Sequence, residues 1–293
     1  MNKLKAILAL TRWTEIYDYT LALTLLAAVF SGIEWQWRII FIFFINVLGQ
    51  CFAFMINDVE DAEDDALNPK KLKRNPVSNG SLSKKEGYLY AALAAFLCII
   101  LFAILTLSYN PIAVVIVAIT TLVTMFLYSW KTVRFKSMPG LDFLSHIYML
   151  AGAPYLLAYF SFRQEMDTLG LLGLIMVLLF SGYGIMENQL RDYETDKKTN
   201  IKNTTAYIGV TASKVLQILF ILGGIAGGFY YIFTLPQKLF ILVEVAIIAF
   251  IISLYPIGRY LFRKSKEDFK LDLHRALLFL GYILLIAKIF KLL

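Results

Sequence analysis

The chain has 293 residues, 59% of them hydrophobic and only 17% charged, an apolar share beyond that of an ordinary soluble domain. That balance excludes a soluble fold and indicates a polytopic membrane protein. The net charge of +7 needs no nucleic acid partner, since most of it lies in loops on one predicted face, and two cysteines in apolar stretches, Cys51 and Cys98, exclude a disulfide or zinc framework.

The N-terminal run MNKLKAILALTRWTE has a basic start, but its apolar stretch is short, lacks a small-residue cleavage site and gives way to Arg12 and Glu15. No removed signal peptide is expected. Crossing the hydrocarbon core takes about 17–25 apolar residues. Such runs predict helices near 17–33, 38–56, 88–108, 111–128, 142–161, 167–187, 213–234, 237–257 and 273–291. The expected fold is therefore all-α, a transmembrane bundle of nine helices forming a single domain over residues 1–293.

Directly after the second apolar run, MINDVEDAEDD (Met55 to Asp65) crowds Asp58, Glu60, Asp61, Glu63, Asp64 and Asp65 together. Carboxylates at helical spacing repel one another and oppose the negative pole of a helix C-terminus, so something positive should sit there. Asn57, Asp61 and Asp65 are spaced i, i+4, i+8, and each step of four advances the azimuth by about 40° beyond one turn, so the trio shares a stripe about 80° wide. The loop that follows contains Lys70, Lys71, Lys73, Arg74, Lys84 and Lys85. In it Pro76 and Asn79-Gly80 mark turns, and Ser83 with Glu86 has capping-box spacing for the third helix.

After the fourth helix, YSWKTVRFK (Tyr128 to Lys136) brings Lys131, Arg134 and Lys136. Asp142 and His146 stand one turn apart at the start of the fifth, where an Asp is expected to cap its own helix. At the end of the sixth, ENQLRDYETD (Glu187 to Asp196) repeats the earlier pattern, with Asn188, Asp192 and Asp196 again at i, i+4, i+8. The repeat divides the chain into two pseudo-repeated halves, roughly 1–137 and 138–293, and predicts a two-fold related pair of cation sites. Mg²⁺ suits an all-oxygen set of this kind and is commonly completed by substrate phosphate oxygens; zinc would ask for His or Cys, and His146 and His274 lie in neither stripe. Lys70 and Arg74 follow the first stripe, Arg191, Lys197, Lys198 and Lys202 accompany the second, and together with Lys131, Arg134 and Lys136 they could clamp a diphosphate. Further on, Glu244 inside the eighth predicted helix is expected to pair with Lys288 in the ninth.

These motifs in their order resemble the UbiA-type intramembrane prenyltransferase superfamily. Its first signature, NDxxDxxxD, reads Asn57, Asp58, Asp61 and Asp65, and its second, DxxxD, reads Asp192 and Asp196. The basic phrase after the first signature is matched by Lys73 to Ser83, and the tyrosine-to-lysine phrase by Tyr128 to Lys136. The glycine that often follows the second signature is Asn200 here, and the common Pro-Pro of the tyrosine phrase is replaced by Trp130 to Val133. The resemblance implies that Mg²⁺ on Asn57, Asp58, Asp61, Asp65, Asn188, Asp192 and Asp196 binds an isoprenyl diphosphate, with Asp61, Asp65, Asp192 and Asp196 catalytic. It implies diphosphate contacts for Lys70, Arg74, Lys131, Arg134, Lys136, Arg191 and Lys202, and places Tyr128 beside the allylic cation. The acceptor it implies is a hydrophobic lipid: an aromatic quinone precursor, a carotenoid or another. Pro139 to His146 resembles the lycopene-elongase-type members, whose acceptor is a carotenoid end. A membrane terpene cyclase without external acceptor is the nearest alternative. A secondary transporter is a more distant one, because its coupling sites lie near broken helices at mid-membrane; a lipid-binding scaffold would not need two acidic stripes.

Cytoplasmic loops collect Lys and Arg. The N-terminal segment and the loops after the second, fourth, sixth and eighth helices hold all of them except Arg38, Arg163, Lys238, Lys288 and Lys291. The N-terminus and the loops bearing the stripes are thus expected in the cytoplasm and the C-terminus on the opposite side. A reporter fused after Lys136 or Lys266 should read as cytoplasmic and one near Arg163 or at Leu293 should not; both termini reading on one side would overturn the layout.

Overall fold

Three helices of the first half start at a side chain that caps them, Asn2, Asn68 and Ser83. The computed structural model describes residues 2–34, 36–106, 111–198 and 201–234, and the regular elements among them are all helical. Asn2 accepts the Leu4 N–H at 3.1 Å and opens α1 (Lys3–Thr11). Arg12 then adopts the left-handed conformation, φ 51° and ψ 23°, which turns the chain into α2 (Trp13–Phe30). α3 (Arg38–Glu60) ends at Asp61 and is followed by two short helices, α4 (Ala62–Asp65) and α5 (Pro69–Arg74). Asn68 caps the latter and Pro69 takes its first turn, where the missing N–H costs nothing. The predicted capping box forms: the Ser83 N–H donates to Glu86 Oε2 at 2.8 Å and the Glu86 N–H to Ser83 Oγ at 3.2 Å, opening α6 (Lys84–Thr106). Just before it, Gly80 makes the expected turn at φ 76°.

α7 (Pro111–Ser129) leads to a 3₁₀ turn (Phe135–Ser137), then α8 (Leu141–Ile147), a π-helical segment (Tyr148–Gly152) and α9 (Ala153–Phe160). α10 (Thr168–Lys198) and α11 (Thr204–Phe233) complete the described helices. Among the described residues six stretches are long and apolar enough to cross a membrane: Arg38–Glu60, Lys84–Leu105, Ile112–Ser129, Leu141–Phe160, Thr168–Glu194 and Thr204–Tyr231. They correspond to the second through seventh predicted spans. The first predicted span is α2, whose opening turns carry Glu15 and Asp18. The eighth and ninth, with Glu244 and Lys288, lie outside the described residues. α1 was not anticipated; it is too short to span and buries Ala6 and Leu10 while exposing Leu4 and Leu8.

The fifth span is not one regular helix. Pro154 has no N–H for the carbonyls one turn before it, and the π segment Tyr148–Gly152 loosens the ladder there. The Gln50 side chain on α3 supplies the missing donor, reaching the Met149 carbonyl at 3.2 Å and the Leu150 carbonyl at 3.4 Å. Asn46, one turn away, donates to the Pro154 carbonyl at 3.1 Å. Buried backbone oxygens in a membrane must find partners inside the protein, and here two amides on α3 provide them.

α3 is central, touching α2, α6, α7 and α9, while α10 and α11 pair along their length. Ile99, Ile104, Ile116, Ile119, Leu219 and Leu222 point outward from α6, α7 and α11 and form a lipid-compatible surface. α10 approaches α9 and α2 through glycines. A Cβ on Gly173 would stand 2.2 Å from the Tyr155 hydroxyl and 2.8 Å from the Phe30 ring, and Tyr155 is fully buried with its hydroxyl donating to the Gly170 carbonyl at 2.9 Å. Gly173→Ala should therefore destabilise the bundle by about 1–3 kcal/mol, the usual cost of overpacking, and lower the thermal unfolding midpoint in detergent. An unchanged midpoint would mean that this contact is not closely packed.

Candidate functional site

The C-terminal ends of α3, α7 and α10 meet the N-terminal ends of α8 and α11 at one end of the bundle, and both acidic stripes lie there. The first does not sit on a single unbroken helix. Asp61 falls between α3 and α4 at φ −88° and ψ 3°, yet the Asp61 N–H still donates to the Asn57 carbonyl at 2.9 Å and the Asp65 N–H to the Asp61 carbonyl at 2.8 Å. The i, i+4, i+8 alignment thus survives the break.

The positive partners demanded by the acidic crowding are present. Lys136 Nζ contacts Asp61 Oδ2 and donates to Asn57 Oδ1 at 3.0 Å. Arg134, itself left-handed at φ 51°, donates to Asp61 Oδ1 at 3.2 Å and to Asp64 Oδ2 at 2.8 Å. Lys131 reaches Glu63 at 2.6 Å instead of the stripe. Arg74 lies 3.3 Å from Asp58 and 3.8 Å from Asp65, and Lys71 lies 3.5 Å from Asp65. Burial pushes the Lys136 ammonium below the ordinary lysine pKa, and the neighbouring Asp61 opposes that shift.

The second stripe is more open. Asn188 Oδ1 accepts from Arg191 at 2.8 Å, and Arg191 also lies 3.4 Å from Asp192, where both side chains are at least half exposed. Asp196 Oδ2 accepts the Asn203 amide at 2.8 Å. Burial and the Asp192 charge raise the Asp196 pKa above the usual carboxylate value, while Lys71 from the other half of the molecule pulls it down. Tyr128 stands at the C-terminal end of α7, beside α8. The His146 ring packs 6.1 Å from the Tyr128 ring. Lys70 and Lys202 are exposed at the rim.

The roles of several residues at this end were not identified from sequence. Asp142 does not cap its own helix. Its carboxylate accepts from the Gln189 amide at 2.6 Å, from the Thr204 N–H at 2.7 Å and from the Thr204 hydroxyl, so it caps α11 across the bundle. Arg12, counted only as a basic residue near the N-terminus, lies 3.7 Å from Asp58 and 4.3 Å from the Phe54 ring centre. Glu60 is buried and accepts from the Tyr88 hydroxyl at 2.6 Å and the Lys131 N–H at 3.2 Å. Asn75 and Asn203 hold the last carboxylate of each stripe. Each contact joins segments remote in sequence or separated by a turn, and helical spacing gives no sign of it.

The donor set is all oxygen. Among the described residues no three His, Cys, Asp or Glu side chains form a ready metal cage. Asp58 Oδ2, however, is buried without a hydrogen-bond partner, and the paired stripes fit a hard cation whose remaining ligands come from another molecule. Below the first stripe, on the same face of α3, a cavity lies between α3, α6, α7 and α9, lined by Asn46, Gln50, Cys98, Phe102, Thr121 and Met125 among others.

Residues 19–281 match the model of the UbiA prenyltransferase family. The chain belongs to the UbiA prenyltransferase family. A digeranylgeranylglyceryl phosphate synthase from Pyrococcus horikoshii is 25% identical over 191 residues, a match that spans 65% of this chain and 64% of that relative's length. Among solved structures, a UbiA homologue from Archaeoglobus fulgidus bound to GPP and Mg²⁺ superposes with a TM-score of 0.65 at 18% identity, covering 96% of this chain and 99% of that one. An apo UbiA homologue from Aeropyrum pernix K1 gives 0.65 at 17% identity, covering 92% and 97%. The UbiA fold is thus common to all three chains.

In this UbiA family member the α8–α10–α11 junction depends on Asp142. Asp142→Ala would leave the Thr204 N–H and the Gln189 amide without their acceptor, at a cost of about 1–3 kcal/mol. The thermal midpoint in detergent should fall accordingly; a midpoint equal to that of the wild type would show that the cap is dispensable.

Proposed function

We propose that this protein transfers an isoprenyl group from an isoprenyl diphosphate to a hydrophobic acceptor lipid within the membrane, with Mg²⁺ as the cofactor. The observation that carries this reading is the placement of two acidic stripes, each with basic side chains beside it, at the same polar end of an otherwise apolar helical bundle. The solved homologue with GPP and Mg²⁺ and the curated relative's name as a synthase of a prenylated glyceryl phosphate support it. One domain of two pseudo-repeated halves, roughly 1–137 and 138–293, supplies one stripe each. The loop-bearing end is read as cytoplasmic, with the N-terminus on that side and the C-terminus opposite.

In this mechanism Asn57, Asp58, Asp61 and Asp65 from one half and Asn188, Asp192 and Asp196 from the other hold the cation. A Mg²⁺ ion held by them would supply stabilisation for the charge that grows as the diphosphate departs. The protein's own cations share that role: Arg74, Arg134 and Arg191 offer forked donors to phosphate oxygens, and Lys70, Lys131, Lys136 and Lys202 offer point charges. Lys136 and Arg134 already bracket Asp61. They would bind the diphosphate from the side of the first stripe. The prenyl chain would lie between the apolar helices beneath the stripe, where the amide N–H groups of Gln50 and Asn46 are already engaged by backbone carbonyls. Tyr128 presents its ring to the allylic carbon as its bond to oxygen breaks, and the surrounding helices exclude the water that would otherwise trap the cation.

Asp61→Asn and Asp192→Asn each keep side-chain size and remove one negative charge from a different stripe. Losing a metal-mediated contribution of about 3–4 kcal/mol lowers a rate by roughly 10²–10³. Both variants should reach the membrane and remain monodisperse, with prenyl transfer and diphosphate release reduced together. Release at the wild-type rate after loss of either stripe would defeat the two-site reading, and lipid mass spectrometry of the same cells would identify the acceptor from the prenylated product that disappears.

A further inference from the structure

Each acidic stripe ends on a carboxylate held by the side-chain amide of an asparagine a few residues further along the chain. Asn75 is fully buried; its Nδ2 donates to Asp65 Oδ2 at 3.1 Å and to the Asp58 carbonyl at 2.8 Å, while its Oδ1 accepts the Val77 N–H at 2.9 Å and the Ser78 N–H at 3.3 Å. Asn203, only 4% exposed, does the same in the other half. Its Nδ2 donates to Asp196 Oδ2 at 2.8 Å and its Oδ1 accepts the Ala206 N–H at 2.8 Å, capping α11. The orientation of both amides follows from their surroundings, since only oxygen can face backbone N–H groups and only the NH₂ can face a carboxylate. Neither residue belongs to the i, i+4, i+8 pattern. Yet both halves solve the same problem in the same way: one end of an amide is fixed to the backbone and the other to the last aspartate of the stripe.

We propose that Asn75 and Asn203 are a matched pair of positioning residues that fix Asp65 and Asp196 for binding a divalent cation with its diphosphate. The inference rests on the diphosphate reading above. An aspartate at a helix end can rotate about two side-chain bonds, so a cation arriving at an unrestrained carboxylate must also order it. A carboxylate with one oxygen already bound to a buried amide is ordered in advance. Hydrogen-bonding partners behind metal ligands typically contribute about 10–100-fold in metal affinity or activity. A purely structural role, in which the amides only cap the α11 start and the turn at Val77, would leave cation affinity untouched.

Serine separates the two roles, because its hydroxyl caps a helix nearly as well as asparagine but is too short to reach the carboxylate. The full-length protein in detergent is titrated with Mg²⁺ in the presence of inorganic pyrophosphate, and the rise in thermal midpoint is followed as a binding signal independent of turnover. Asn203→Ser keeps the α11 cap, so its midpoint without ligand should stay near that of the wild type, and Asn75→Ser, which also loses the bond to the Asp58 carbonyl, should show a lower one; in both, the Mg²⁺ concentration for half-maximal stabilisation should rise about 10–100-fold. Asn75→Thr and Asn203→Thr give the same comparison should a serine variant not fold. Half-maximal concentrations matching the wild type in either half would overturn the matched pair. A wild-type protein that Mg²⁺ and pyrophosphate together do not stabilise would instead overturn the diphosphate reading, and the pair with it.

Discussion

The charge at the end of α3 governs this side of the molecule. Asp61 stands where the helix carbonyls already create a negative pole, and Asp58, Glu60, Glu63, Asp64 and Asp65 crowd around it. No single segment neutralises them. Arg12 comes from the elbow between α1 and α2, Arg74 from α5, and Lys131, Arg134 and Lys136 from the loop after α7. The exposed pair of Glu63 with Lys131 contributes little to stability, because water screens it. Asp58 is different: fully buried, it would leave an uncompensated charge if both arginines were lost. The acidic stripe thereby draws three remote loops to one point, and the basic groups needed beside a diphosphate arrive there as a consequence of folding.

The two halves repeat the stripe but not its surroundings. Around the second, Arg191 pairs locally with Asn188 and Asp192, and Lys71 from the first half is among the groups that act on Asp196. Of the loop after α7, Arg134 and Lys136 reach the first stripe and Lys131 the neighbouring Glu63, and none of the three touches the second stripe among the contacts described. What the second half has instead is rigidity. Asp142, Gln189, Thr204 and Thr205 lock α8, α10 and the start of α11 together, with the Thr205 N–H donating to Gln189 Oε1 at 2.9 Å. A diphosphate spanning the stripes would therefore take most of its protein cations from one side and meet a firmly braced acidic helix on the other.

How much of this was legible in the sequence depends on whether an interaction is local. The Ser83–Glu86 box, the Gly80 turn and helices at seven of the predicted positions, six of them long and apolar enough to span, follow from periodicity and short-range stereochemistry, and the described residues contain each of them. Roles that depend on a distant partner did not follow. Asp142 looked like a cap for the helix it begins, because an Asp there usually is one, but Gly140 precedes that helix and the unpaired N–H groups nearest its carboxylate belong to Thr204 and Gln189. Arg12 looked like one more basic residue of the N-terminal segment. Its left-handed backbone, which aims it at Asp58, is visible only once α1 has docked. The π segment before Pro154 was missed because an unbroken apolar run carries no sign of a skipped hydrogen bond, although the proline itself was a local warning.

The same face of α3 links the polar end to the interior. Asn46, Gln50 and Asn57 are separated by four and seven residues, so they lie within about 40° of one another and span about 16 Å along the helix. Polar groups so deep in a membrane protein would ordinarily draw water with them, which an allylic cation could not survive. Here their N–H groups are taken up by the Thr24 hydroxyl and by the carbonyls of Met149, Leu150 and Pro154. The irregular fifth span and the amides opposite it therefore satisfy each other. Proline disrupts the helix ladder, α3 repairs it, and the wall beneath the acidic stripe keeps an apolar character while being held firmly in register with the site above.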